Sequence, residues 1–243
     1  EELQRYVEQV TASRLPIVEG YCSHPGFILG WGSLREEEAA VAEGELAGRG
    51  EDGYLMHSFG SRIALVGNSP RATLYAVYHF LEKYLGCGWC VPGEDVVPRR
   101  PTIRLGAMAD AVGPPDFTLR QLILYPYGPQ WMRVNTLRHV DWLAKNRLNW
   151  AHAAPNGPGV WEASRSRELL VPEVRRRGLH LQVGGHTFSL WLPPDRYAES
   201  HPEFYALLDD DSRRADGTHE TSLCVSNPQV IETVAANINA WLE

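Results

Sequence analysis

The sequence predicts an α/β protein in two parts: a small α+β unit over residues 1–112, then repeating βα units over 113–243. Three observations carry that expectation. Up to Leu105, short apolar runs and turn signals alternate as in a hairpin flanked by helices. After Asp116 strand-like and helix-like segments take turns, which implies a parallel sheet, open and doubly wound or closed as a (β/α)8 barrel. Finally, the apolar run Leu179 to Val183 leads into Gly184-Gly185-His186, as a chain does at the rim of a barrel strand.

Each element has its own signal. Leu3, Tyr6, Val7 and Val10 fall at helical intervals and predict a first helix. Gly53 to Phe59 and Arg62 to Val66 read as strands around a Gly60-Ser61 turn. Ser69-Pro70 supplies an N-cap and a first-turn proline. The helix that follows aligns Leu74, Val77, Leu81 and Leu85 and stops at Gly86. Thr102 to Leu105 is expected to return as a strand, and Gly113-Pro114-Pro115 to mark a boundary. Beyond it, Phe117 to Tyr125 reads as a strand and Asn135 as the cap of a helix containing Val140 and Ala144. Asn149 to Ala153 is a second strand, Ser164 to Arg177 a helix, and Leu179 to Val183 a third strand. Ser226-Asn227-Pro228 opens a final helix. Only about three βα units fit here, whereas a closed barrel takes roughly 250 residues.

Composition narrows the function. An apolar fraction of 44% supports a real core, and no apolar run is long enough to span a membrane. A net charge of −7 argues against a nucleic-acid partner, which demands a basic face. Arg175-Arg176-Arg177 is read as complementing the negative end of a helix dipole. Cys87-Gly88-Trp89-Cys90 has redox spacing but follows a helix, whereas a thioredoxin-like pair opens one, so a redox role is rejected. The chain opens at Glu1 without a signal-like segment, so it reads as trimmed and its compartment stays unknown, secreted or cytoplasmic.

The segments Gly53-Tyr54-Leu55, Ile63 to Gly67 and Arg71 to Leu81 resemble the α/β domain that precedes the barrel in family 20 β-N-acetylhexosaminidases and family 67 α-glucuronidases. Asn146-Arg147-Leu148-Asn149 resembles the Asn-x-Leu-Asn segment entering the second barrel strand of family 20. Gly184 to Phe188, Leu192-Pro193-Pro194, His201 to Phe204 and Leu223 to Pro228 are similar to the DUF4838 proteins, a bacterial family of unknown function. The resemblance implies an accessory α/β domain followed by the first three or so βα units of an incomplete TIM (β/α)8-type barrel. It also implies that the chain leads a glycoside hydrolase acting on oligo- or polysaccharide.

The resemblance assigns saccharide contacts to Arg120 and His186. A guanidinium can donate to two neighbouring hydroxyls, though an arginine here could equally cap a strand or pair with an acid. An imidazole can donate to a sugar hydroxyl or a carboxylate. Tyr125, His152 and Trp191, at or after strand ends, offer further contacts, with rings on which apolar sugar faces stack. Where the hexosaminidases carry His-x-Thr-Asp, this chain has His152-Ala153-Ala154-Pro155-Asn156 and lacks the aspartate. Glycoside hydrolysis needs a pair of carboxyl groups about 5–5.5 or 6.5–9.5 Å apart. That pair is expected beyond Glu243, so the chain alone is expected to be inactive.

Asp209-Asp210-Asp211 lacks the spaced ligands of a calcium loop and reads as a solvated turn. His180 and His186 have no third ligand at suitable spacing, so no metal and no cofactor are expected. The expected partner is a carbohydrate, with self-association through an unpaired barrel edge. The rival reading is a non-catalytic carbohydrate-binding module on the same scaffold. An unrelated doubly wound protein is disfavoured, since no Gly-rich phosphate loop follows a strand.

Overall fold

The computed structural model describes residues 1–20, 24–124, 129–153, 166–184, 187–215 and 221–242. By internal contacts the chain divides into two units. The first is Glu1–His152 with Glu168–Leu181, the second Ala153–Arg167 with Gln182–Glu243. The Gly113-Pro114-Pro115 turn therefore lies inside the first unit.

The first unit begins with α1 (Glu2–Thr11), β1 (Gly26–Leu29), α2 (Glu36–Leu46), β2 (Tyr54–Phe59), β3 (Arg62–Gly67) and α3 (Pro70–Leu85). A short hairpin of β4 (Gly88–Val91) and β5 (Glu94–Val96) follows, then β6 (Ala109–Val112). The sheet order is β1-β3-β2-β6, with β1 parallel to β3 and the other pairs antiparallel. Helices cover both faces, which explains why these strands read as nearly unbroken apolar runs. The two-residue pleat sorts the side chains. Tyr54, Met56 and Leu65 join α1 and α3 in one core, while Leu55, Ala64 and Val66 meet Ile28 and the Ala42 and Leu46 of α2 on the other face.

Local signals fix α3 as expected. The Ser69 Oγ accepts from the Ala72 amide at 3.1 Å, and Gly86 ends the helix in the left-handed region at φ 75°. Three elements were not foreseen. Segment β1 is only four residues, and the β4–β5 hairpin is shorter still on one side. The N-cap of α2 is Arg35, whose amide donates to Glu38 Oε2 at 2.9 Å. Glu38 is buried, and its oxygens take Arg62 Nη1 at 2.7 and 2.9 Å.

The return strand expected at Thr102–Leu105 is corrected to Ala109–Val112, where Val112 comes opposite Tyr54 and Ala109 opposite His57. Ile103 and Leu105 still pack against the core, so their apolar spacing reflects burial without ladder pairing.

The chain then alternates β7 (Gln121–Leu124), α4 (Pro129–Lys145), β8 (Trp150–Ala153), α5 (Ser166–Arg176) and β9 (His180–Val183), of which Ala153, Ser166–Arg167 and Gln182–Val183 count with the second unit. The sheet order is β7-β8-β9. The His180 amide donates to Asn149 O at 2.8 Å and the Gly184 amide to Ala153 O at 3.2 Å, so β8 and β9 run parallel. Asn135 lies inside α4 and does not cap it, because the helix begins at Pro129.

The C-terminal end of α4 is fastened to the β4–β5 hairpin by Lys145. Its buried Nζ donates to both oxygens of Asp95 at 2.9 and 2.8 Å and pairs with Asp141. It also sits 5.0 Å from the Trp89 ring centroid and 5.4 Å from that of Tyr6. Arg177, read from sequence as a dipole partner, is instead a buried cross-link that donates to Asp141 at 2.7 Å and to Glu173.

The second unit has its own small core of Leu192, Phe204, Tyr205, Leu223 and Val230. It holds α6 (Phe188–Trp191), α7 (Pro194–Tyr197) and α8 (Pro228–Leu242). Tyr205 Oη donates to Leu192 O at 2.9 Å, and Asn237 Nδ2 donates to Trp191 O at 2.7 Å. Asp209 to Asp211 form an exposed turn in which Asp210 accepts from the Ser212 amide at 3.1 Å. No helix among the described residues is long and apolar enough to cross a membrane.

Burial alone would raise the Asp141 carboxyl, but donation by Lys145 and Arg177 outweighs it and holds the group below the usual carboxylate range. A lowered folded-state value means that Asp141 stabilises the fold above its unfolded value of about 3.9. That contribution is lost as pH falls through the lower folded value. Asp141→Asn is expected to cost about 3 kcal/mol at neutral pH and to flatten the acid limb, measured by urea unfolding from pH 2 to 7.

Candidate functional site

The turn 46–53 ahead of β2 is held by Asn68, whose Nδ2 donates to Leu46 O at 3.2 Å and Gly50 O at 2.8 Å. This turn delivers Asp52 to the N-terminal ends of the second sheet. An ionised carboxylate this deeply buried must be paired. Asp52 Oδ1 accepts from Arg71 Nε at 2.7 Å, and Oδ2 accepts from Arg120 Nη2 and from Asn149 Nδ2 at 3.3 Å.

Arg71 and Tyr75, one turn apart on α3, face the same way. Arg71 Nη1 donates to Gly178 O at 2.7 Å, and Tyr75 Oη donates to Leu148 O at 2.7 Å. Gly178 follows α5 at φ 64°, and a Cβ there would stand 3.1 Å from the Cβ of Arg71. Both the left-handed backbone and the close approach call for glycine.

Arg120 precedes β7 and so stands at the N-terminal end of the strand, opposite to the end where barrel ligands bind. Its Nε donates to Arg147 O at 2.8 Å, Nη1 to Phe117 O at 2.7 Å and Nη2 to Asp52. Its amide donates to Asn149 Oδ1 at 2.9 Å, and its carbonyl accepts from the Asn149 and Trp150 amides. The guanidinium is a structural fork joining two carbonyls and an acid. Sequence position alone did not separate the two ends of the strand.

His152 is the third residue of β8, on the same face as Trp150, and is half-buried. The Trp150 ring packs on the His180 ring of the next strand, centroids 4.8 Å apart. His180 Nε2 lies 3.2 Å from Arg71 Nη1. A guanidinium only donates, so this nitrogen accepts and is engaged, which removes His180 from any metal set. Trp191 belongs to the second unit, where its ring meets Trp241 edge-on at 5.8 Å. Tyr125 and His186 lie outside the described residues. Among the described residues, no three His, Cys, Asp or Glu side chains are grouped to hold a metal ion.

Asp52, Arg71 and Asn149 were not singled out as site residues by sequence reasoning. Asn149 was read only as the start of a strand. Burial pushes the Cys87 thiol up to about 11, the opposite direction from a thiol activated as a nucleophile. Gly178→Ala is expected to cost about 1–2 kcal/mol in a denaturant titration, because it strains the backbone and displaces Arg71.

No curated protein matches the chain. Among solved structures it is similar to a Streptomyces plicatus N-acetyl-beta-hexosaminidase in complex with Thio-NAglucal, at 15% identity and a TM-score of 0.53. The match covers 95% of this chain and 47% of that one, so the chain spans about half of its relative's length. Over that half the two chains share a fold. The DUF4838 model, described as a domain of unknown function, matches residues 89–243, and the chain belongs to that family.

Proposed function

We propose that this chain supplies the accessory domain and opening βα units of a glycoside-hydrolase-type protein acting on oligo- or polysaccharide. In this reading the barrel of that protein is built on β7, β8 and β9, and the chain contributes saccharide contacts. The observation that carries it is the parallel β7-β8-β9 sheet, anchored at its N-terminal ends and carrying His152 towards its C-terminal end. Barrel ligands bind at that end. The likeness in fold to an N-acetyl-beta-hexosaminidase in complex with Thio-NAglucal supports the same assignment.

His152 is assigned as a donor to a sugar hydroxyl, with Tyr125, His186 and Trp191 as further contacts from the loops after the strands. Arg120 drops out of the contact set. The strands Gln121–Leu124, Trp150–Ala153 and His180–Val183 contain no Asp or Glu, so the catalytic carboxylates are assigned to other parts of the protein. The same observation favours a second reading, a carbohydrate-binding module that retains the scaffold without the chemistry.

The test is to assay the full-length protein on aryl glycosides and defined oligosaccharides and to measure saccharide binding by calorimetry. Turnover supports the hydrolase reading; binding without turnover supports the module; neither overturns both. His152→Gln is expected to weaken saccharide binding about tenfold, the worth of one good hydrogen bond.

The sheet edges carry a further expectation. β7 and β9 flank the described three-stranded sheet, with Ile123 and Val183 partly exposed. Unpaired strand edges invite another chain. Residues 1–243 alone are expected to associate, and a clean monomer by light scattering would contradict this.

A further inference from the structure

We infer that Asp52, a residue of the accessory domain, is a positioning residue for the saccharide site at the far ends of β7, β8 and β9. The inference rests on the reading of that site given above, and it adds a determinant outside the barrel sheet itself.

The geometry gives one carboxylate contact with the start of all three strands. Through Arg120 it holds the residue before β7, and through Asn149 the residue before β8. Through Arg71 it reaches Gly178 O and His180 at the start of β9. Arg120 and Asn149 also bond to each other through backbone and side chain, so their register is set at the same point. A strand rises about 3.3 Å per residue, which puts His152 roughly 10 Å beyond Asn149. Over so short a distance a shift at the N-terminal end is carried to the imidazole.

A second route runs over one face of the sheet. Arg71 meets His180, His180 packs on Trp150, and Trp150 shares its face with His152. Both routes begin at Asp52. Its charge also separates two guanidinium groups, Arg71 and Arg120, in a place with little access to water. Neutralising it leaves two like charges facing one another. Asparagine offers one acceptor oxygen where two are used, so one arginine must release its strand.

The experiment uses full-length protein with Asp52→Asn and Asp52→Glu, read by amide hydrogen exchange, the ¹⁵N shifts of the His152 ring and calorimetric affinity for an oligosaccharide. In Asp52→Asn, exchange at the Trp150 and His180 amides is expected to rise about tenfold, while Ser58, whose amide bonds Met108 O at the remote end of β2, stays unchanged. The His152 ring shifts should move and saccharide affinity should fall about fivefold. Asp52→Glu, which keeps the charge, should restore most of each. Equal acceleration at Ser58 would show a merely structural role and overturn the inference. So would unchanged exchange at Trp150 and His180. If Asp52→Asn does not fold, Arg120→Lys, which keeps the charge but loses the fork, is read by the same amides and the same criteria. Should the wild-type protein bind no saccharide, the functional reading fails, yet the exchange and ring-shift measurements still decide whether Asp52 positions His152.

Discussion

Burying one carboxylate between two arginines is the constraint on which the rest of the first unit depends. Asp52 is charged, enclosed and shared between Arg71 of α3 and Arg120 ahead of β7. Such a group is tolerable only when its partners are in place together. The turn before β2, the first turn of α3 and the starts of the second sheet must therefore form as one arrangement. Removing Asp52 would leave Arg71 with only the exposed Glu51 as an acidic partner and Arg120 with only backbone carbonyls.

Lys145 repeats the logic at the other end of the interface. Its ammonium is enclosed by Asp95 and Asp141 and lies over two aromatic faces. Around both ion clusters, Tyr75, Trp142 and Asn146 donate to backbone carbonyls across the same boundary. Ala144 lies within the core that α1 and α3 build. Apolar burial drives the two sheets together, and the paired charges fix their register. This is why the accessory sheet and the opening βα units fall into one compact unit.

Much of this was legible in the sequence, for local reasons. The alternation in Tyr54 to Phe59 and Arg62 to Gly67, the Ser69 cap and the Gly86 stop each act within a few residues. The parallel βα rhythm and the DUF4838 and hexosaminidase resemblances likewise came from ordered local motifs. What was missed depends on distant partners. β1 is a strand because β3 lies beside it, and Ala109–Val112 pairs because β2 does. Arg120 was given a saccharide contact by resemblance, and nothing local shows the acid it bonds. Its acid is 68 residues earlier in the chain. The candidate site was legible only as residue types at strand ends, and of these His152 lies on a described strand.

The central claim is that the accessory sheet and β7-β8-β9 form one cooperative unit joined through Asp52. Urea unfolding followed by hydrogen-exchange mass spectrometry tests it most directly, comparing peptides over residues 54–67 with those over 149–152 and 178–181. The account predicts a single shared midpoint for all three. A second sheet that melts while residues 54–67 stay protected would contradict it.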